Sequence, residues 1–318
     1  MSEHSQMPPD WERKVLEKIA LDGLAEQRSR RRWGIFFKLL GFTYVGVLLV
    51  SFLGFGFGSG EGMGDGQKHT ALIQLNGVIQ AKGEASADSI VASLQSAFDD
   101  KNTAGVVLRI NSPGGSPVQS GIVYDEIRRL RAKHPEVLLH VVVEDVCASG
   151  GYYIAAAADN IYVDKASIVG SIGVLMDGFG FTGAMDKLGV ERRLLTAGEN
   201  KGFLDPFSPQ DAKQKVYAKE MLGEIHEQFI DAVRKGRGKR LKETPEMFSG
   251  LMWSGARSVQ LGLADGFGTV ESVARDVVKV EHVRDFTMKQ NFAERIAKQF
   301  GADMADSAVR LLGRIELR

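Results

Sequence analysis

The stretch VLLHVVVEDVCASGGYYIAAAA, Val137–Ala158, decides the fold class. Val137–Val146 is almost continuously apolar, the pattern of a strand buried on both faces of a sheet. Tyr152–Ala158 is Ala-rich and reads as a helix. Between them lie only small residues, Cys147-Ala148-Ser149-Gly150-Gly151, with one serine among them. A serine at a strand-to-helix corner holds its hydroxyl in the open. The first N–H groups of the new helix converge on the same spot and favour negative charge there. Acyl transfer needs that pair, a nucleophile and an oxyanion site. Small residues at a corner also serve tight packing alone, so the rest of the chain must decide between the two readings.

Outward from this corner the pattern alternates. Ala71–Ile79 reads as a strand and Ser86–Asp99 as a helix with Ile90, Leu94 and Phe98 on one face. Ala104–Asn111 is a buried strand ending in Ser112-Pro113-Gly114-Gly115-Ser116, and a helix opens at Pro117 with Val123, Ile127 and Leu130 along it. Beyond the corner come short strands at Ile161–Asp164 and Glu191–Leu195, an irregular loop to Pro209, and a long helix from about Gln210 to Arg234. Alternating strands and helices with apolar strands predict an α/β domain, a mainly parallel sheet with helices on both faces. A further helix is expected over Asn291–Leu312, packed on its own domain or on a neighbour.

The 318 residues are 44% hydrophobic and 25% charged with a formal net charge of zero, which gives no basic surface for a nucleic-acid partner. The single cysteine, Cys147, excludes an internal disulfide framework and a Cys-rich metal site, and no metal or cofactor is expected. From Trp33 to Phe57 the only charge is Lys38. That run is long enough to cross a bilayer, which takes about 20 apolar residues. Arg28, Arg30, Arg31 and Arg32 precede it, so the N-terminus is expected on the cytoplasmic side and the remainder outside. The long polar segment in front and the lack of a small-residue cleavage site favour a retained anchor over a cleaved signal peptide. Glycine at every even position from Gly54 to Gly66 marks a flexible tether. The expected organisation is a cytoplasmic segment 1–32, an anchor 33–57, a tether 58–70, a catalytic domain 71–282 and a helical tail 283–318.

Two loops, Asn111–Ser116 and Cys147–Gly151, close consecutive strands at their carboxyl ends, where ligands collect in an open parallel sheet. Gly114 or Gly115 is expected to supply one oxyanion donor and Gly150 a second, since glycine lets a backbone N–H approach a ligand closely. A serine nucleophile needs a base. Of the six histidines, His4, His69, His134, His140, His226 and His282, none lies between positions 141 and 225. A Ser-His-Asp triad is therefore poorly supported. A desolvated lysine is the alternative. Lys165, Lys187 and Lys201 are the candidates, and Lys201 stands in an apolar, Pro-bounded loop, Glu199–Pro209.

At these residues the chain resembles the signal peptide peptidase A (protease IV) family of bacterial membrane serine peptidases. The matching stretches are RINSPGGS (Arg109–Ser116), ASGGYYIAAA (Ala148–Ala157), GSIGV (Gly170–Val174), ENKGFLDPFSP (Glu199–Pro209) and GLADGFG (Gly262–Gly268), in family order. The resemblance implies a ClpP/crotonase-like fold and a serine–lysine dyad. It implies Ser149 as nucleophile, Lys201 as general base, Ser171 as the residue orienting the lysine amine, and Gly114, Gly115 and Gly150 at the oxyanion hole. It implies cleaved signal peptides as substrates, a single-pass location in the bacterial inner membrane, and a catalytic domain facing the periplasm. The chain holds one copy of the domain where longer family members hold two. In the short form the dyad is expected between neighbouring protomers of a homo-oligomeric ring, an octamer. A crotonase-like acyl-transfer enzyme and a non-catalytic membrane scaffold are the competing readings on the same fold. The first is disfavoured outside the cytosol, where coenzyme A is absent. The second is disfavoured by the retention of Ser149 and Lys201. Cys147 reads as a small core residue.

Overall fold

The computed structural model describes residues 31–47 and 66–288. Residues 31–47 form a helix that covers the start of the expected anchor; its continuation over 48–57 lies outside the described residues. Among the described residues no helix is long and apolar enough to cross a membrane. The expected tail helix, Asn291–Leu312, also lies outside them.

The chain from residue 66 onward builds β1 (His69–Asn76), α1 (Ala87–Asp99), β2 (Thr103–Ser112), α2 (Pro117–Lys133), β3 (Leu139–Ala148), α3 (Gly150–Ala155), β4 (Asn160–Val163) and β5 (Ile168–Gly170). There follow α4 (Thr182–Leu188), α5 (Ala212–Arg237), β6 (Met252–Ser254), α6 (Gly255–Gln260), β7 (Gly266–Phe267), α7 (Val270–Val273) and β8 (Val283–Asp285). One sheet runs in the order β6-β5-β3-β2-β1-β8. Its pairings are parallel except β5 with β6. The α/β class with a mainly parallel sheet is as the sequence predicts.

Side-chain caps start the two long helices that follow β1 and β2. Ser86 caps α1 by accepting the Ser89 N–H, and Ile90, Leu94 and Phe98 are buried along one face. Ser116 caps α2 with Pro117 in its first turn, and Val123, Ile127 and Leu130 are buried. On β2, Val106, Leu108 and Ile110 join the main core with these helices, while Val107 faces a smaller cluster with Val142, Val270 and Val273. Helices thus cover both faces, unequally. Each fully buried aliphatic side chain contributes about 1.5–3 kcal/mol.

Two features of the sheet position the corner. β3 forks: His140–Val142 pair with β4, while Val146–Ala148 pair with β5. The β2–β3 register also slips between Ile110 and Ser112, which sets Ser112 beside Cys147. The two small-residue loops therefore emerge side by side.

Four sequence expectations are corrected. The strand expected at Glu191–Leu195 does not form, and Leu195 is 96% exposed. A strand needs a neighbour for its N–H and C=O groups, and among the described residues no strand pairs with this segment. Arg192 instead pairs with Asp205 and Arg193 with Glu191. Residues 283–285, assigned to the tail, are β8, which pairs with Thr70–Leu72 and extends the domain past position 282. At the other end, His69 and Thr70 belong to β1 rather than to the tether. The first strand also stops at Asn76, and Ile79 makes only an isolated bridge with Gly115.

Candidate active site

Ser149 is the N-cap of α3, with φ 52° and ψ −123°, a conformation that L-residues rarely adopt. The surroundings hold it there. Its N–H donates to the Gly170 carbonyl at 2.8 Å, and its carbonyl accepts the Tyr153 N–H at 2.9 Å. Its side chain makes no capping bond, so the hydroxyl is uncommitted. Strain of this kind, about 1–3 kcal/mol per residue, gathers at functional sites. The helix behind it is anchored by Tyr152, which is fully buried and donates its hydroxyl to the Leu263 carbonyl at 2.8 Å. Cys147 is buried, and burial pushes its thiol well above the usual range, so it is an inert core residue.

The glycine loop lies against this serine. Gly114 (φ +102°) and Gly115 (φ +150°) both occupy left-handed backbone that glycine alone adopts freely. A Cβ on Gly150 would stand 3.3 Å from the Gly115 nitrogen, so the two backbones are in contact. The Gly114 N–H is taken by the Ser112 hydroxyl at 3.1 Å. Among the described residues no acceptor engages the N–H of Gly115 or of Gly150. The open donors beside Ser149 are therefore Gly115 and Gly150. Gly114 shapes the loop rather than donating from it.

Ser149, Gly150, Gly115 and Ser171 line one cleft of about 540 Å³. Its walls include Tyr153, Val174, Leu175, Ile225 and Phe229. Ser171 follows β5 at φ 52°, held by its N–H to the Leu251 carbonyl at 2.8 Å. A larger depression of about 660 Å³, in the fork between β4 and β5, holds Arg109, Glu144, Asp145 and Glu271. Neither Ser149 nor the open glycine N–H groups line it, so the chemistry selects the smaller cleft.

No lysine lines the cleft among the described residues. Lys201 is exposed in a turn of the 198–208 loop, where its N–H donates to the Gly198 carbonyl. Lys165 lies over the Phe267 ring, and Lys187 is exposed in the last turn of α4. Histidine offers no replacement at the nucleophile. His140 is buried near the start of β3, about 30 Å of strand from Ser149 at ~3.3 Å per residue. Burial holds its pKa below the ordinary value. His226 on α5 has its Nε2 3.1 Å from the Ile172 carbonyl, a bond it makes only as donor. Within one protomer the fold thus unites Ser149, Ser171, Gly114, Gly115 and Gly150, and leaves Lys201 apart from them.

The stretch between β5 and the Lys201 loop exposes several large apolar side chains. Leu175 and Phe179 are each 80% exposed, and Leu188 and Val190 are exposed as well. The sequence does not single out Ile225 or Phe229, which line the cleft from α5. Their i, i+4 spacing puts them on one face of that helix, which marks a buried or lining face but not a catalytic one.

A family model for peptidase family S49 matches residues 131–284. The chain is 45% identical over 222 residues to a protein named Na(+)/H(+) antiporter NhaA of Brucella melitensis, a match covering 67% of this chain and 30% of that protein. The chain thus spans less than a third of that relative, most of which lies outside the match. It is 30% identical over 229 residues to Protease 4 of Haemophilus influenzae, covering 70% of this chain and 36% of that protein. It is 27% identical over 215 residues to the chloroplastic serine protease SPPA of Arabidopsis thaliana, covering 64% and 31%.

Proposed function

We infer that the chain belongs to the signal peptide peptidase A (protease IV) family of serine-type peptidases, peptidase family S49, and on that premise propose that it is a membrane-anchored endopeptidase working through a Ser149–Lys201 dyad shared between protomers. The observation that carries this reading is the Ser149 hydroxyl, free of any capping bond at a strained helix N-cap, in one cleft with the unengaged N–H groups of Gly115 and Gly150.

In the proposed reaction Ser149 Oγ attacks a peptide carbonyl. The Lys201 amine of a neighbouring protomer takes the serine proton, and Ser171 orients that amine. The carbonyl oxygen, now anionic, accepts from Gly115 and Gly150, whose N–H groups are already aimed and need no reorganisation. Collapse expels the amine, which takes its proton from the lysine. Water then repeats the sequence and frees the serine. An amine serves as base only when desolvated, since burial disfavours its charged form. Closure of an interface over the cleft would supply that burial. The exposed apolar residues of 175–195, the stretch before the Lys201 loop, support such an interface, because large apolar side chains left in solvent are candidates for contact surfaces.

The apolar cleft walls suit apolar side chains, which supports signal peptides released into the membrane as substrates. The apolar run to Phe57 and the arginines before it support a single-pass anchor in the bacterial inner membrane, with the domain on the periplasmic side. A ring of one-domain protomers on a ClpP/crotonase-type fold completes the proposal. A fluorophosphonate probe tests it: the full chain should label at Ser149 and cleave signal peptides. A protein that neither labels nor cleaves would favour the scaffold reading.

A further inference from the structure

Ser112 ends β2 with its side chain fully buried, directly behind the glycine pair. A buried hydroxyl must find partners, and this one has two. It donates to the Gly77 carbonyl at 2.6 Å and accepts the Gly114 N–H at 3.1 Å. The second bond spans two residues and is a local side-chain-to-backbone turn.

The consequence falls on the next peptide. Gly114 donates inward to Ser112, and its carbonyl accepts from the Ile79 N–H at 2.8 Å. Ser116 N–H donates to the Ile79 carbonyl at 2.8 Å. Of the three N–H groups in Gly114–Ser116, two are therefore committed to Ser112 and Ile79, and that of Gly115, a residue lining the cleft, is left without an acceptor among the described residues. The Gly77–Ile79 segment acts as a strap, and Ser112 is its side-chain buckle. The loop packs so closely on this segment that a Cβ on Gly115 would meet the Ile79 carbonyl oxygen at 2.0 Å.

We propose that Ser112 is a positioning residue for the oxyanion site, selecting Gly115 rather than Gly114 as the donor by drawing the Gly114 N–H inward. The proposal rests on the peptidase reading above. Without the hydroxyl, the Gly114 N–H loses its buried acceptor. The peptide before Gly114 is then free to rotate toward another partner, and the aim of the following peptide is lost with it. Ground-state substrate binding depends on the cleft walls and should be little affected.

The experiment compares Ser112→Ala, Ser112→Cys and Ser112→Thr in the full chain, by steady-state cleavage of a fluorogenic apolar peptide and by fluorophosphonate labelling rate at Ser149. Removing an oxyanion donor typically costs about 10²–10³-fold in kcat. Ser112→Ala should approach that loss with KM within about threefold, and labelling should slow in parallel. Ser112→Cys keeps the shape with weaker bonds and should lose at least about tenfold. Ser112→Thr keeps the hydroxyl and should restore most of the rate. If Ser112→Ala does not fold, the Cys and Thr pair carries the test. Wild-type kcat in the Ala or Cys variant, or a loss confined to KM, would overturn the positioning role. Failure of the wild-type protein itself to label or cleave would instead overturn the peptidase reading, so the two failures are distinct.

Discussion

A Cβ on Gly114 would stand 2.7 Å from the Ser149 Cβ. The same atom would lie 2.8 Å from the Ala148 carbonyl oxygen and from the Gly150 nitrogen. These neighbours are backbone or the serine itself, so no side-chain rotation relieves the contact. The left-handed φ of Gly114 adds to the strain. We expect Gly114→Ala to push Ser149 off its position and to destabilise the domain by about 1–3 kcal/mol. Fluorophosphonate labelling and thermal unfolding would measure both effects. Normal labelling in this variant would mean that the two loops are not in contact in solution.

The backbone of Ser149 gives a second test, one that separates activity from stability. Ser149→Ala and Ser149→Gly should both lose cleavage, on the order of 10⁶-fold for a triad-type nucleophile. Alanine retains the strain of φ 52°, whereas glycine adopts that conformation freely. Ser149→Gly should therefore be the more stable of the two by up to about 1 kcal/mol in urea titration, despite glycine's greater unfolded-state entropy. Equal stability would remove backbone strain from the account of this corner.

Much of this was legible in the chain because it was written locally. The apolar run into Cys147-Ala148-Ser149 and the Pro117 helix start each depend on a few adjacent residues. The chemistry of the loops was legible for the same reason. What was not legible depends on distant partners. Nothing in Ser112-Pro113-Gly114-Gly115 says which N–H is left open, because the partners that take the others, Gly77 and Ile79, lie in the segment after β1. Glu191–Leu195 looks like a strand by composition, yet composition cannot supply the neighbour a strand requires. GLADGFG is readable as a motif, but its work is structural. Leu263 anchors Tyr152, and Asp265 clasps the end of α5.

That clasp predicts a pH dependence. Arg237 is buried and makes two bonds of 2.9 Å to the Asp265 carboxylate. Burial pushes the Asp265 carboxyl up, but the hydrogen bond and charge of Arg237, the Ile161 N–H and Arg240 outweigh it and hold the pKa below the ordinary value. A carboxyl with a depressed folded-state pKa adds stability above its unfolded pKa, about 3.9. That stability is lost as pH falls through the folded value. We expect Asp265→Asn to destabilise the domain at neutral pH by about 3–5 kcal/mol, since it leaves a buried guanidinium unpaired. The difference from wild type should shrink below pH 4. An unchanged urea midpoint at pH 7 would show the pair to be dispensable.

The separation of Lys201 from the cleft leads to the last test. Lys201 is exposed, does not line the cleft with Ser149, and sits in a loop near exposed Leu195 and Phe207. If the loop reaches a neighbouring protomer, each site needs two chains and an isolated protomer is inactive. Lys201→Ala should then be dead, and Lys201→Arg should not rescue it, because arginine does not release its proton. Ser149→Ala should be dead as well. Mixed oligomers of Ser149→Ala with Lys201→Ala nevertheless contain some interfaces where an intact serine from one chain meets an intact lysine from the other. Those interfaces should recover part of the activity, in proportion to their number as the mixing ratio is varied. Activity that stays at zero in verified mixed oligomers would place both residues of the dyad in one chain. The Lys201 loop would then have to fold inward over the cleft rather than outward to a neighbour.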